Sequence, residues 1–163
     1  MDPLWAPWRM EFILKGREKD CFLCRYLAED PARDRENLVL WRGENVFVVL
    51  NRYPYSNGHL MVVPNRHTAD LAELDGRTAA EMWDALGRMV RLLTAVLRTE
   101  GTNVGLNLGR AAGAGVDDHL HLHVVPRWVG DTNFMPVLSG TKVISQSLSA
   151  CYDALARRLA EPT

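Results

Sequence analysis

The sequence predicts a mixed fold in which antiparallel strands pack against amphipathic helices. Turn-rich segments separate three apolar runs, at residues 38–41, 46–50 and 59–63, and this pattern predicts an antiparallel meander. Apolar residues then recur at helical spacing over about residues 75–101 and predict one long amphipathic helix. A second helical pattern begins at about residue 145 and gives the chain a C-terminal helix.

The ends of the long helix are predicted from its flanking residues. It begins between Asp75 and Thr78, where Thr78-Ala-Ala-Glu81 has the spacing of a capping box. Gly101 is the expected end, because glycine adopts the left-handed conformation that closes many helices. The apolar stripe between these ends contains methionines and leucines, and we interpret it as core. Alternating residues over 103–108 then predict a further strand.

Length, charge and cysteine content narrow the class of protein. A chain of 163 residues fits one domain with a substantial core. The net charge of −1, with acidic and basic residues interspersed, argues against nucleic acid or an anionic membrane as the main partner. The sequence contains no apolar run long enough to span a bilayer and no signal-peptide pattern, so we expect a cytoplasmic protein. Three cysteines in that compartment argue against a disulfide framework.

Three histidines alternate with aliphatic residues in the stretch Asp118–Arg127. A strand places alternate side chains on opposite faces, so His119, His121 and His123 should share one face while the intervening residues enter the core. Three buried imidazoles without partners would be costly. The pattern therefore indicates either a metal site or nucleophilic and acid–base chemistry near neutral pH.

A Cys-x-x-Cys motif, Cys21-Phe-Leu-Cys24, begins a short helix that should run to Asp30. The motif is compatible with redox chemistry, with a zinc site or with two buried thiols. No preceding strand supports a thioredoxin-like unit, and a structural zinc ion would need two more ligands, which histidines elsewhere must supply. Cys151 lies in the apolar stripe of the C-terminal helix and is interpreted as a core thiol.

The segment Gly109–Val116 contains three glycines within seven residues. Glycine lets backbone N–H groups approach a bound anion closely, as in phosphate-binding loops. Taken alone, the segment is equally compatible with a flexible hairpin. Its position immediately before the three histidines favours phosphate binding.

The motif His119-Leu-His121-Leu-His123-Val-Val resembles that of the histidine triad (HIT) family of nucleotidyl hydrolases and transferases. Asn51, Pro54, Gly58-His59 and Pro64-Asn-Arg-His67 extend the resemblance upstream. The resemblance implies an α+β fold, with a five-stranded antiparallel sheet, one long packed helix and a C-terminal helix. It also implies one HIT domain over residues 1–163, with an N-terminal arm at 1–20, a C-terminal extension at 129–163, and assembly into a homodimer or a higher homo-oligomer.

The same resemblance implies roles for individual residues. His121 would be the nucleophile, with its other ring nitrogen held by the carbonyl of His119, and His123 would contact phosphate. Asn107, Gly113 and Gly115 would also contact the substrate phosphates, and Asn51 would bind ribose hydroxyls. A structural zinc ion would be held by the set Cys21, Cys24, His67 and His119.

Two flanking segments, Trp5-Ala-Pro-Trp8 and Gly130–Phe134, resemble the bacterial diadenosine tetraphosphate phosphorylase branch of the family. The expected reaction is phosphorolysis of a dinucleoside polyphosphate, for which the candidate phosphate-binding cations are Arg110, Arg127 and Lys142. Three alternatives remain open: a hydrolase of adenosine phosphoramidates or dinucleoside polyphosphates, a catalytic metallohydrolase, and a non-catalytic nucleotide-binding protein.

Overall fold

The structure is a computed structural model that describes residues 21–113, 115–132 and 144–161. The predicted N-terminal arm, with Trp5 and Trp8, lies outside the described residues. So do residues 133–143 of the predicted C-terminal extension, which include Lys142, and so does the side chain of Arg110.

The described chain contains four α-helices and five strands. The helices are α1 (Phe22–Ala28), α2 (Asp34–Asn37), α3 (Gly76–Leu97) and α4 (Leu148–Ala160). The strands are β1 (Val39–Arg42), β2 (Val46–Leu50), β3 (Leu60–Pro64), β4 (Gly101–Leu106) and β5 (Leu122–Arg127). Short 3-10 turns lie at Pro31–Arg33, Leu71–Glu73 and Arg110–Ala112.

All five strands form one antiparallel sheet in the order β1-β2-β3-β5-β4. The first three strands are the predicted meander, and β5 pairs with β3 on one side and with β4 on the other. This arrangement confirms the predicted α+β fold with five antiparallel strands. It also places β5, which carries His123, in the interior of the sheet between β3 and β4.

The core lies around β2 and β3, two interior strands of the sheet. Every residue of β2 and β3 is buried, so both faces of this part of the sheet are covered. Helix α3 contacts β2, β3 and β5, and it buries the predicted apolar stripe. Helix α4 packs on α3 and β1 through Cys151, Tyr152 and Leu155, which confirms that Cys151 is a core thiol. None of the described helices is both long and apolar enough to cross a membrane.

Helix α3 begins within the predicted range, but its C-terminal end differs from the predicted one. Asp75 is the N-cap, since its carboxylate accepts the backbone N–H of Thr78 at 2.8 Å. The helix ends at Arg98, which adopts a left-handed conformation with φ 52°. The indole of Trp128 donates to the backbone oxygen of Arg98 at 3.0 Å and satisfies a carbonyl group at this helix end. Gly101 is instead the first residue of β4.

Glu81 does not complete a capping box but holds the β1–β2 turn against α3. Its carboxylate accepts the backbone N–H groups of Glu44 at 2.8 Å and Asn45 at 2.9 Å, and the Asn45 side-chain amide at 2.7 Å. The close approach requires glycine at position 43, because a Cβ atom there would collide with the Glu81 carboxylate. Sequence spacing alone could not distinguish this long-range role from a local cap.

We therefore expect Glu81→Ala to destabilise the protein by about 1–3 kcal/mol, because it removes the acceptor of two backbone N–H groups. Asp84→Ala, on an exposed position of the same helix, is the matched control and should change the free energy of unfolding by less than about 0.5 kcal/mol. Urea denaturation of both variants measures the difference. Equal effects would show that the contact with the turn contributes little.

Candidate active site

The alternation predicted that the three histidines lie in one strand, but only His123 lies within a strand of the structure. β5 begins at Leu122, so His119 and His121 belong to the extended segment just before it. That segment is anchored where the N–H of Leu120 donates to the carbonyl of Thr68 at 2.7 Å. Leu120, Leu122 and Val124 are buried as predicted, and the imidazoles divide between two neighbouring groups of side chains.

The first group contains Cys21, Cys24, His67 and His119. One ligand atom from each residue lies within 4.8 Å of all the others. Cys24 Sγ is 3.2 Å from His67 Nδ1 and 3.5 Å from His119 Nδ1, and Cys21 Sγ is 3.4 Å from the same nitrogen of His119. Residues far apart in the chain thus converge on one point, and this cluster could hold a metal ion.

The ring of His119 is oriented as a metal ligand requires. Its Nε2–H donates to the carbonyl of Pro64 at 2.8 Å, so Nδ1 presents a lone pair to the two thiols. Burial lowers the pKa of His119 and favours the neutral form that binds metals. On the other side of the cluster, Asp118 lies 3.9 Å from His67 Nε2, in the arrangement by which carboxylates often orient ligating histidines.

The spacing of the donors fits a tetrahedral metal site. Zinc–sulfur bonds of about 2.3 Å and zinc–nitrogen bonds of about 2.0–2.1 Å give ligand–ligand separations of roughly 3.3–3.8 Å. The observed sulfur–nitrogen distances of 3.2–3.5 Å lie close to this range. Burial, followed by the hydrogen bond and charge of Cys21, raises the pKa of Cys24 to about 11, so the Cys24 thiol would need a nearby cation to ionise at neutral pH.

The second group begins with His121, which is 5% exposed. Its Nδ1–H donates to the carbonyl of His119 at 2.8 Å. The carbonyl can only accept, so the proton is on Nδ1 and Nε2 keeps a lone pair. Burial also lowers the pKa of His121 and keeps the ring neutral at neutral pH. A neutral imidazole with one free nitrogen is a competent nucleophile.

A chain of hydrogen bonds fixes the tautomer of His123. The backbone N–H of Tyr55 donates to His59 Nδ1 at 3.1 Å, so His59 carries its proton on Nε2. That proton is donated to His123 Nδ1, 3.0 Å away. His123 is therefore protonated on Nε2, a buried atom with no hydrogen-bond partner among the described residues. The group is a donor without an acceptor, and burial together with the charge of His121 lowers the pKa of His123 to about 4.

His123 lines a cavity of about 390 Å³ between β4 and the loop that follows it. The predicted phosphate contacts Asn107 and Gly113 line the same cavity, and Gly113 has the positive φ of 78° that glycine tolerates. His121 is not among the lining residues, but the centre of its ring lies 4.8 Å from that of His123. Gly115 is not among the lining residues.

Two other predicted binding residues are engaged within the protein. Asn51 is half-buried, with its side-chain oxygen accepting the N–H of Tyr53 at 2.9 Å and its amide nitrogen 3.4 Å from His59 Nδ1. Arg127 is paired with Asp131, so its charge is compensated and it is not a free cation for an incoming phosphate.

The sequence interpretation assigned no role to His59. It is 1% exposed, stacks on the ring of Tyr55 at 4.8 Å and holds His123. The Gly58-His59 pair was visible in the sequence as part of the family resemblance. Gly58 has φ +75°, and a Cβ atom there would lie 2.5 Å from a methyl carbon of Leu97, so the turn that delivers His59 requires glycine.

Comparisons with known proteins agree with this geometry. The sequence profile of the HIT domain matches residues 32–129. The chain is 43% identical over 151 residues to the AP-4-A phosphorylase of Mycobacterium tuberculosis, covering 89% of this chain and 77% of that protein. It is also 33% identical over 112 residues to an uncharacterised HIT-like protein of the same organism, covering 68% and 74% of the two chains.

The fold is shared with a solved structure of a histidine triad family protein. A zinc-bound histidine triad family protein from Mycobacterium smegmatis superposes with a TM-score of 0.68 at 28% sequence identity, covering 86% of this chain and 94% of that chain. The profile match spans more than half of this chain, and the relative from M. tuberculosis is similar over most of it. The chain therefore belongs to the histidine triad family of nucleotide hydrolases and transferases.

Proposed function

We propose that this enzyme cleaves diadenosine tetraphosphate with inorganic phosphate as the acceptor, through a nucleotide attached covalently to His121. The observation that carries the proposal is the hydrogen bond from His121 Nδ1 to the carbonyl of His119, which leaves the lone pair on Nε2 of a ring packed against His123. The name of the relative from M. tuberculosis supports the choice of substrate and acceptor.

In the first step, His121 Nε2 attacks the α-phosphorus of one adenosine. A nitrogen–phosphorus bond forms, the bond to the bridging oxygen breaks, and ATP leaves with the bonding electrons. Attacking and leaving atoms lie roughly in line, and charge accumulates on the other phosphate oxygens. His123 Nε2–H, which has no acceptor among the described residues, is the donor we assign to that charge.

In the second step, an oxygen of inorganic phosphate attacks the same phosphorus. The nitrogen–phosphorus bond breaks, His121 recovers its lone pair, and the product is ADP. The balanced reaction gives one ATP and one ADP for each diadenosine tetraphosphate and phosphate consumed. With water as the acceptor, the second product would be AMP, and the enzyme would be a hydrolase.

The remaining site residues take binding roles in this proposal. Asn107, Gly113 and Gly115 contact the phosphates through amide donors, an assignment that the cavity lining supports for the first two. Asn51 binds ribose hydroxyls, as the family motif implies. Because His59 sets the tautomer of His123, we assign it as a positioning residue.

We further propose that the cysteine–histidine cluster holds a structural zinc ion. Four protein ligands fill a tetrahedral sphere, which is typical of structural rather than catalytic zinc. His121 and His123 are not members of this cluster. A metallohydrolase would need an open coordination position, so the closed donor set disfavours that alternative.

The decisive experiment incubates diadenosine tetraphosphate with the enzyme, with and without phosphate, and identifies the products by chromatography. We expect ATP and ADP in equal amounts, with a rate that depends on phosphate. His121→Asn keeps a donor for the His119 carbonyl but lacks the nucleophile, and it should lower kcat by about 10⁴-fold or more. Formation of AMP and ATP irrespective of phosphate would identify a hydrolase.

Binding without turnover by the wild-type enzyme would favour a non-catalytic nucleotide-binding protein. Binding should therefore be measured on the same samples by calorimetry. Retained activity of His121→Asn would exclude the covalent intermediate.

Metal analysis should find about one zinc ion per chain, and Cys24→Ser should lose it. Because the four ligands join α1 to the two histidine-bearing segments, metal loss should also lower the melting temperature markedly. Cys151→Ala is the control, since Cys151 lies in the core outside the cluster and its loss should leave the zinc content unchanged. Wild-type protein that contains no zinc and is unaffected by chelators would contradict the assignment.

The lowered pKa of His123 predicts a pH-dependent stability. An unfolded histidine titrates near 6.5, whereas the folded pKa is about 4, so folding opposes protonation. Above about pH 6.5, His123 is neutral in both states and does not lower the free energy of unfolding. As the pH falls towards 4, the unfolded state takes up a proton first, and the free energy of unfolding decreases. Between these limits His123→Asn, which has no titrating group but keeps an acceptor for His59, should lose less stability than the wild type, by on the order of 2–3 kcal/mol. Denaturation curves at pH 7 and pH 4.5 measure this, and parallel losses in both proteins would contradict it.

A further inference from the structure

The strand register extends the candidate active site away from His123 along the β4–β5 pair. Gly105 is opposite His123, Asn103 is opposite Val125, and Gly101 is opposite Arg127. Alternate residues of a strand share a face, so Asn103 lies on the same face as His123, about 7 Å farther along the sheet. Both residues line the same cavity.

The floor of the cavity between His123 and Asn103 carries no side chain at Gly105. Gly105 lines the cavity, and a Cβ atom added there would meet no protein atom within 4 Å. Protein packing therefore does not explain a glycine at this position. The absent side chain leaves a continuous path from His123 to Asn103 that a phosphate chain could occupy.

The side chain of Asn103 is held in one orientation by charged neighbours. Arg127 Nη1 donates to Asn103 Oδ1 at 2.9 Å. The guanidinium is itself fixed by Asp131, which accepts from both Nε and Nη2 and is 8% exposed. An arginine has only donors, so it selects the amide oxygen of Asn103. The Nδ2 group then points away from Arg127, and it makes no hydrogen bond within the described parts of the chain.

We infer that Asn103, oriented by Arg127 and Asp131, donates from Nδ2 to the phosphate that follows the α-phosphate and forms a second phosphate subsite. The inference rests on the proposed function. An amide donor beside a compensated Arg127–Asp131 pair binds phosphate without a strong net charge, which allows a polyphosphate product to dissociate.

One subsite serves both halves of the reaction because the displacements are in line. The leaving polyphosphate departs from the side of the phosphorus opposite His121 Nε2. The acceptor phosphate must later attack from that same side to displace the histidine. In the first step, Asn103 thus binds the phosphate that becomes the terminal phosphate of the departing ATP. In the second step, it binds the incoming acceptor phosphate.

The test compares two nucleotides that share the adenylyl group and differ in the leaving group, which is a nucleotide polyphosphate in one and a single fluoride in the other. Diadenosine tetraphosphate reaches Asn103, whereas adenosine 5′-phosphorofluoridate loses a single fluoride and does not. In this two-step reaction, kcat/KM for each nucleotide reports events up to release of its leaving group. The kcat/KM for phosphate reports the second step.

For Asn103→Ala we expect kcat/KM to fall at least about tenfold for diadenosine tetraphosphate and for phosphate, the loss expected for a hydrogen bond to a charged group. The value for the fluoridate should stay within about twofold of wild type. Asp131→Asn should shift the first two values in the same direction, because it releases Arg127. Thr102→Ala, on the opposite face of β4, is the matched control and should change none of the three.

An equal loss on both nucleotides would show that Asn103 acts on the α-phosphate or on the fold, and no loss on either would show that it contacts no phosphate. Both results overturn the inference while leaving the proposed function intact. If the wild-type enzyme cleaves neither nucleotide, the proposed function and the inference both fail. Melting temperatures of all variants separate lost stability from lost binding.

Discussion

The candidate site depends on His119, which connects two groups of side chains with different chemistry. Its ring nitrogen Nδ1 faces the thiols of Cys21 and Cys24, while its backbone carbonyl accepts the proton of His121. The ring is in turn fixed by the carbonyl of Pro64 at the end of β3. His119 thus joins the cysteine-bearing segment at the start of α1 to the ring of His121. The geometry of the cysteine–histidine cluster and the orientation of the His121 ring are therefore linked through His119.

Backbone groups determine the protonation pattern of the site. The carbonyl groups of Pro64 and His119 and the N–H of Tyr55 each have a fixed polarity, whereas an imidazole can exchange donor and acceptor roles between its nitrogens. Each backbone group fixes the tautomer of one histidine: His119, His121 or His59. The Nε2–H of His59 then fixes the tautomer of His123. Burial keeps the rings neutral, since desolvation lowers the pKa values of His121 and His123. The sheet thereby presents one lone pair and one N–H donor side by side without any permanent charge.

The groups around the cavity also carry little net charge. Arg127 is compensated by Asp131, and the polar groups assigned to phosphate are amides, backbone N–H groups and a neutral imidazole. Such donors stabilise charge that develops during phosphoryl transfer while binding a polyphosphate product less tightly than unpaired cations would.

Local patterns in the sequence determined the elements of this fold. Apolar runs between turn-rich segments located the first three strands. Alternation located the last two strands and the burial of Leu120, Leu122 and Val124, and helical spacing located the stripe of α3, because both periods are properties of the backbone itself. The resemblance to the histidine triad family supplied the residues of the cysteine–histidine cluster. The tertiary structure alone decided which groups meet across the chain. Register placed His59 against His123, and Trp128 satisfied the end of α3 at Arg98. These contacts join residues 30 and 64 positions apart, and periodicity within one element has no information about partners at such distances.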